Sequence, residues 1–349
     1  MSRRFFLRLA GDPLYVCRNI IGFVVPPMHP LPRRPALVHL ALTLLGMLAR
    51  GEGAEREAMA DEAFPRGPRT WVEAQVALAQ RGFSGGAIDG IRGPQSTAAL
   101  QAFQRREGID PSGELNAATS ERLILATPAL EETSLTADDL ASLRPVPVTW
   151  LEKSRQPSLA HATALELAAE RHHAGPAFLR RLNPQVNWDE VLPETKFVAP
   201  AVARVEKSGA AARLTIRLGE RVLEVMDREA RVIAHFPVSI ARKAEKRPLG
   251  ELRVTVVVSD PDYTFDPAVF PESAEARELG RKLMIPPGPN NPVGVAWIGL
   301  DLPGYGIHGT PDPEKVGRTE SHGCFRLANW DARTLLALAW AGLPVVVEP

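Results

Sequence analysis

Ser321-His322-Gly323-Cys324-Phe325-Arg326-Leu327, with Ile307-His308-Gly309-Thr310 upstream, is the stretch on which the reading of this chain turns. Cys324 has one histidine two residues before it and another sixteen before it. In thiol chemistry the nucleophile is the thiolate, and a neighbouring imidazole generates it near neutral pH. Gly309 and Gly323 let the backbone come close to an incoming carbonyl and leave main-chain N–H groups free to face a developing oxyanion. Acyl transfer needs a nucleophile, a base, a group that orients the base and an oxyanion hole. Cys324 is the candidate nucleophile. His308, the remote histidine that folding would bring in from a neighbouring strand, is the candidate base and later acid.

These segments resemble the signature of the L,D-transpeptidases with a YkuD-type catalytic domain: a histidine-glycine pair, a short spacer and S-H-G-C-x-R. The resemblance implies a β-rich catalytic fold and no metal or organic cofactor. It also implies that the main-chain carbonyl of Gly309 orients His308, since no acidic residue stands at a telling position. Backbone N–H groups of His322, Gly323 and Cys324 are the expected oxyanion donors, each typically worth about 3 kcal/mol. The His322 side chain either assists the thiolate or orients structure and substrate, the second being favoured because adjacent residues point apart. Arg326, on the same face as Cys324 if extended, either clamps a substrate carboxylate or locks its loop. Ser321 is expected at the turn, and Asn291-Pro292-Val293-Gly294 and Ile307 at the pocket wall, with Ser321, Asn291, Arg326 and Tyr305 as substrate-binding candidates. Tyr263, Trp297 and Tyr305 line the pocket or sit in the core. Two departures from the family pattern stand out: Phe325 replaces a small aliphatic residue, and Arg247-Pro248-Leu249-Gly250 replaces a Thr-Pro-x-Gly turn.

Working outward, residues 203–349 read as the catalytic domain. Strands of alternating or continuous apolar character are expected at 213–218, 221–226, 232–237, 251–259, 295–299 and 344–347, with helices at 274–283 and 329–341. Two packed sheets or a flattened barrel are the expected architecture, within a mixed α+β chain. Residues 70–127 read as three short helices joined by Asp-Gly and Ser-Gly turns. Thr70 and Glu73 suggest a capping box at the first of them. The pattern Asp89-Gly90, Gly93-Pro94, Leu100, Phe103-Gln104, Gly113 resembles the peptidoglycan-binding module often attached to wall enzymes. Residues 128–147 read as a linker. Residues 148–201 resemble a degenerate LysM-type glycan-binding unit without its Gly-Asp-Thr opening.

Residues 1–51 read as a targeting region: a basic lead at Arg33-Arg34, an apolar run from Ala36 to Ala49, and small residues at Ala49 and Gly51. Met28 is the expected true start, and 52–69 a linker. Cleavage would remove Cys17 and leave Cys324 as the one thiol of an exported chain, a mark of a reactive cysteine. Seven arginines and one aspartate fall within residues 1–51, so the remainder holds 34 basic and 40 acidic groups. That balance gives no reason to expect nucleic-acid binding. The apolar run is short for a membrane span. No P-loop, dinucleotide fingerprint or zinc-like cluster is present. His172-His173 reads as a polar helix face and not as a metal pair.

The expected protein is a monomeric, periplasmic peptidoglycan L,D-transpeptidase. Its partners would be stem peptides and glycan. A wall-anchored lipoprotein lysine, a free D-amino acid or water would serve as alternative acceptors at the same site. A non-catalytic wall-binding protein is the competing reading from another class.

Overall fold

Thr70 begins the ordered helices as its spacing predicts. Its hydroxyl accepts the Glu73 N–H, and the Glu73 carboxylate accepts the Thr70 N–H, which starts α1 (Trp71–Ala79). The structure, a computed structural model, describes residues 63–202, 210–270, 273–318 and 323–349. The segment expected to be a targeting region, 1–51, and Ser321 and His322 therefore lie outside the described residues. Pro94 opens α2 (Pro94–Arg106), and Asn116 caps α3 (Ala117–Arg122). Gln75 accepts from the Asp89 and Gly90 N–H groups, so the Asp-Gly turn is held by a side chain of α1. Phe83 and Phe103 meet edge to face at 5.7 Å among Leu78, Leu100 and Leu123.

The segment expected as a linker, 128–147, is structured. It holds β1 (Leu130–Thr133) and α4 (Ala137–Ala141), whose Thr136/Asp139 capping box fixes its start. Then come α5 (Trp150–Lys153), α6 (Ala164–Arg171), α7 (Pro176–Leu182) and β2 (Phe197–Pro200), which pairs antiparallel with β1. One apolar core runs from Leu78 and Phe103 through Ala168 and Phe197 to Met226 and Val232 of the C-terminal sheet. Burying a side chain such as Leu78 contributes about 2 kcal/mol, so this shared core binds the helical units to the sheet. His172 and His173 are not a polar helix face. The helix ends at Arg171; buried His172 donates to the Pro200 carbonyl at 3.0 Å, and His173 stacks on Trp330 at 5.3 Å.

The C-terminal part of the chain contributes β3 (Arg213–Arg217), β4 (Val222–Met226), β5 (Val232–Pro237), β6 (Gly250–Ser259), β7 (Tyr263–Phe265), α8 (Ala274–Leu279), β8 (Leu283–Ile285), β9 (Ala296–Leu300), β10 (Gly306–His308), β11 (Phe325–Arg326), α9 (Asn329–Leu338) and β12 (Pro344–Glu348). Eight of these strands form one mixed sheet in the order β11-β10-β9-β6-β12-β3-β4-β5. Bulges at Val225/Met226 and between Val254 and Val256 bend it. Ser239, just past β5, then exchanges both backbone hydrogen bonds with Arg326 of β11. The two edges thus meet, and the sheet curls into a flattened barrel instead of two packed layers. Its interior is filled by Leu214, Ile216, Leu223, Phe236, Ile298, Ile307, Phe325 and the α9 residue Leu335. β7 and β8 pair separately, and Trp150 of α5 stacks on Phe265 at 4.4 Å.

Candidate active site

Parallel pairing of β10 with β11 sets Ile307 against Phe325 and His308 against Arg326. Ile307 and Phe325 both point into the core. Alternation then turns His308, Cys324 and Arg326 to the opposite face. The Gly306 N–H bonds to the Cys324 sulfur, and the thiol also contacts the Gly304 carbonyl at 3.5 Å. Strand pairing alone thus unites two segments that stand sixteen residues apart.

His308 is buried, and its Nδ1 lies 2.6 Å from the carbonyl oxygen of Gly309. A carbonyl only accepts, so Nδ1 carries the proton and Nε2 keeps its lone pair. Trp297, opposite His308 on β9, stacks on the imidazole at 5.7 Å. It also covers Gly306, where a Cβ would come within 2.6 Å of the indole. Burial pushes the His308 pKa down to about 4; the Gly309 carbonyl opposes this, and the Arg326 cation adds to it. Burial pushes the Cys324 thiol up, while the Gly306 N–H and Arg326 pull it back. Both groups are therefore neutral at rest near pH 7.

The Arg326 charge acts on His308, Cys324 and the half-buried Tyr263, whose phenol is pushed up by burial and then by Cys324. Arg326 Nε is buried with no hydrogen-bond partner among the described residues. Tyr305 lies beside Gly323, with its ring 3.8 Å from where a Cβ would stand, and its hydroxyl donates to the Lys246 carbonyl at 3.2 Å. Asn291 is placed differently from a substrate ligand. It is fully buried, donates to the Pro286 carbonyl at 2.8 Å and accepts from the Val293 N–H at 2.9 Å, so its amide shapes the 285–294 turn. Arg247 likewise serves its own loop, donating to the carbonyls of Ala241 and Arg242.

Three contributors were not singled out from the sequence. Gly306 supplies the N–H to sulfur, Ser239 pins Arg326, and Asn329 accepts the Thr310 N–H at 3.0 Å just beyond His308. For Gly306 alone was there a local signal, a glycine two residues before the histidine on an alternating strand.

The L,D-transpeptidase catalytic domain, YkuD, matches residues 211–347, and the "Putative peptidoglycan binding domain" matches residues 69–123. A Bacillus licheniformis protein named "Putative L,D-transpeptidase YkuD" is 25% identical over 49% of this chain and 85% of its own length. "Putative L,D-transpeptidase YqjB" of Bacillus subtilis is 33% identical over 32% of this chain and 57% of its own. A solved L,D-transpeptidase from Mycobacterium smegmatis shares 17% identity, covering 44% of this chain and 66% of that one, at a TM-score of 0.32.

Proposed function

Taking residues 211–347 as a YkuD-type L,D-transpeptidase catalytic domain preceded by a peptidoglycan-binding domain, we propose that this chain is an exported, periplasmic peptidoglycan L,D-transpeptidase acting through Cys324. The observation that carries this reading is the β10–β11 register, which puts His308, Cys324 and Arg326 on one face away from the core. The Cys324 sulfur attacks the carbonyl of the third residue of a tetrapeptide stem, and the thiol proton passes to His308 Nε2 as the S–C bond forms. N–H groups of Gly323 and Cys324 face the oxyanion. The C–N bond to the terminal D-alanine then breaks, and His308 returns the proton to the leaving amine. An imidazolium with a depressed pKa is a strong acid for that step. An acceptor amine attacks the thioester in the reverse sense, restoring the thiol and forming a 3→3 cross-link when the amine belongs to a second stem.

The test is mass spectrometry of a muropeptide tetrapeptide incubated with the protein and with Cys324→Ala. A Cys324-dependent dimer lacking one D-alanine is the expected product. A Cys324-dependent tripeptide alone makes the protein a hydrolase. An unchanged tetrapeptide in both samples removes the reading for this donor.

A further inference from the structure

Helix α6 of the middle unit reaches into the loops around His308 with two carboxylates. Glu166 and Glu170 stand one helical turn apart and so leave the same face. Glu166 Oε1 accepts from the Asn290 amide at 2.6 Å, and Glu170 Oε2 accepts from the Asn329 amide at 2.9 Å. Asn329 is wholly buried, and its amide nitrogen also donates to the Pro289 carbonyl at 3.1 Å. Its oxygen accepts the Thr310 N–H and fills the space that side chains at 294 and 309 would need. A Cβ on Gly294 would fall 2.2 Å from that oxygen, and one on Gly309 2.3 Å from it. Gly309 in turn holds the His308 imidazole through its carbonyl. A carboxylate and a carbonyl only accept, so Glu170 and the Pro289 carbonyl together hold the NH2 end of the Asn329 amide and leave its oxygen to Thr310. His161 Nε2, 3.5 Å from the other Glu170 oxygen, backs the carboxylate from within the middle unit.

We propose that Glu170 is a positioning residue for His308: it fixes the Asn329 amide, which fixes the Gly309 carbonyl, which selects the Nδ1–H tautomer of the base. The segment resembling a glycan-binding unit is on this account a brace for the acid–base group. The catalytic consequence rests on the function proposed above; the tautomer consequence does not.

The test uses the full chain labelled with ¹⁵N-histidine, with the His308 tautomer read by long-range ¹⁵N NMR at neutral pH. Wild type is expected to show the Nδ1–H form, and Glu170→Ala a mixture of both tautomers. Glu170→Gln keeps an acceptor oxygen and is expected to restore the wild-type signal. Glu166→Ala removes a matching anchor on the same face and is expected to leave the tautomer alone. An unchanged His308 in Glu170→Ala, or an equal change in Glu166→Ala, would overturn the proposal. If Glu170→Ala does not fold, Glu170→Ser, too short to reach Asn329, is read the same way. The second readout is acylation of Cys324 by a carbapenem, followed by intact-protein mass spectrometry. The maximal rate is expected to fall about tenfold in Glu170→Ala with half-saturation unchanged. If wild type forms no adduct, the acyl-transfer reading fails while the NMR still decides the brace.

Discussion

Arg105, on helix α2 of the N-terminal three-helix unit, holds Glu224 of the eight-stranded sheet at 2.7 Å, and Glu224 is completely out of solvent. Arg217 bonds its second oxygen at 2.8 Å, and His235 lies 3.5 Å from the first. Although burial opposes ionisation, His235 and Arg217 hold the carboxyl down at about 2. Arg105→Ala should lower stability by about 2 kcal/mol, because a buried charge loses one of its partners. Calorimetry of the variant checks this, and an unchanged melting temperature would make the contact incidental.

The pH dependence of Cys324 acylation follows from His308. With its pKa down at about 4, the base stays neutral through the weakly acidic range. Acylation by a carbapenem should hold level from neutral pH to about 5 and fall away below about 4. A midpoint near the ordinary imidazole value of 6.5 would mean that burial does not govern this histidine.

Arg326→Gln should slow alkylation of Cys324 by iodoacetamide about tenfold at pH 7.5, since the cation that pulls the thiol back is gone. The strand itself should persist, because Ser239 pairs with the backbone of residue 326 and not with its side chain. Equal alkylation rates would reassign the arginine to substrate or packing.

Asp331 is buried on α9 and accepts from the Ser84 hydroxyl at 3.0 Å, and burial pushes its carboxyl up to about 8. Between the ordinary carboxylate value and about 8 the folded state holds a proton that the unfolded state has released. Stability should therefore decline as pH rises across that window, by up to about 1.4 kcal/mol per pH unit. Melting curves of wild type and Asp331→Asn from pH 4 to 9 test the sign: the variant should gain relative stability with rising pH. Parallel curves would show that this carboxyl does not titrate there.

Gly309→Ala should abolish acylation and destabilise the fold. The added methyl would meet the Asn329 oxygen at 2.3 Å, and the buried amide has no room to yield. A variant with normal melting and acylation would contradict the packing described around Asn329.

The long strands were legible because Val232–Pro237 and Gly250–Ser259 carry enough apolar and β-branched residues to show in any window. β10 and β11 were not, being three and two residues long and defined only by their pairing. His308 at the end of β10 and Cys324 just before β11 could still be named, since a histidine and a cysteine in a glycine-bearing motif announce chemistry without secondary structure. β1 is Leu-Glu-Glu-Thr, and α4 spans five residues, too short to show a period, so 128–147 reads as linker. Glu170 and Asn329 stand 159 residues apart, and nothing local to either marks the contact. His172 and His173 read as polar for a related reason: their burial comes from Pro200 and Trp330, both distant in sequence.

Pro344–Glu348 occupies the seam of the sheet, parallel to β3 on one side and antiparallel to β6 on the other. The half carrying β9, β10 and β11 joins the half carrying β4 and β5 through this ribbon on one side and through the Ser239–Arg326 bridge on the other. During synthesis Cys324 and His308 leave the ribosome before the ribbon that joins the sheet around them. A nascent chain therefore carries Cys324 before it has the strand that joins its sheet, and a polypeptide ending before residue 344 would keep the motif yet lack the seam.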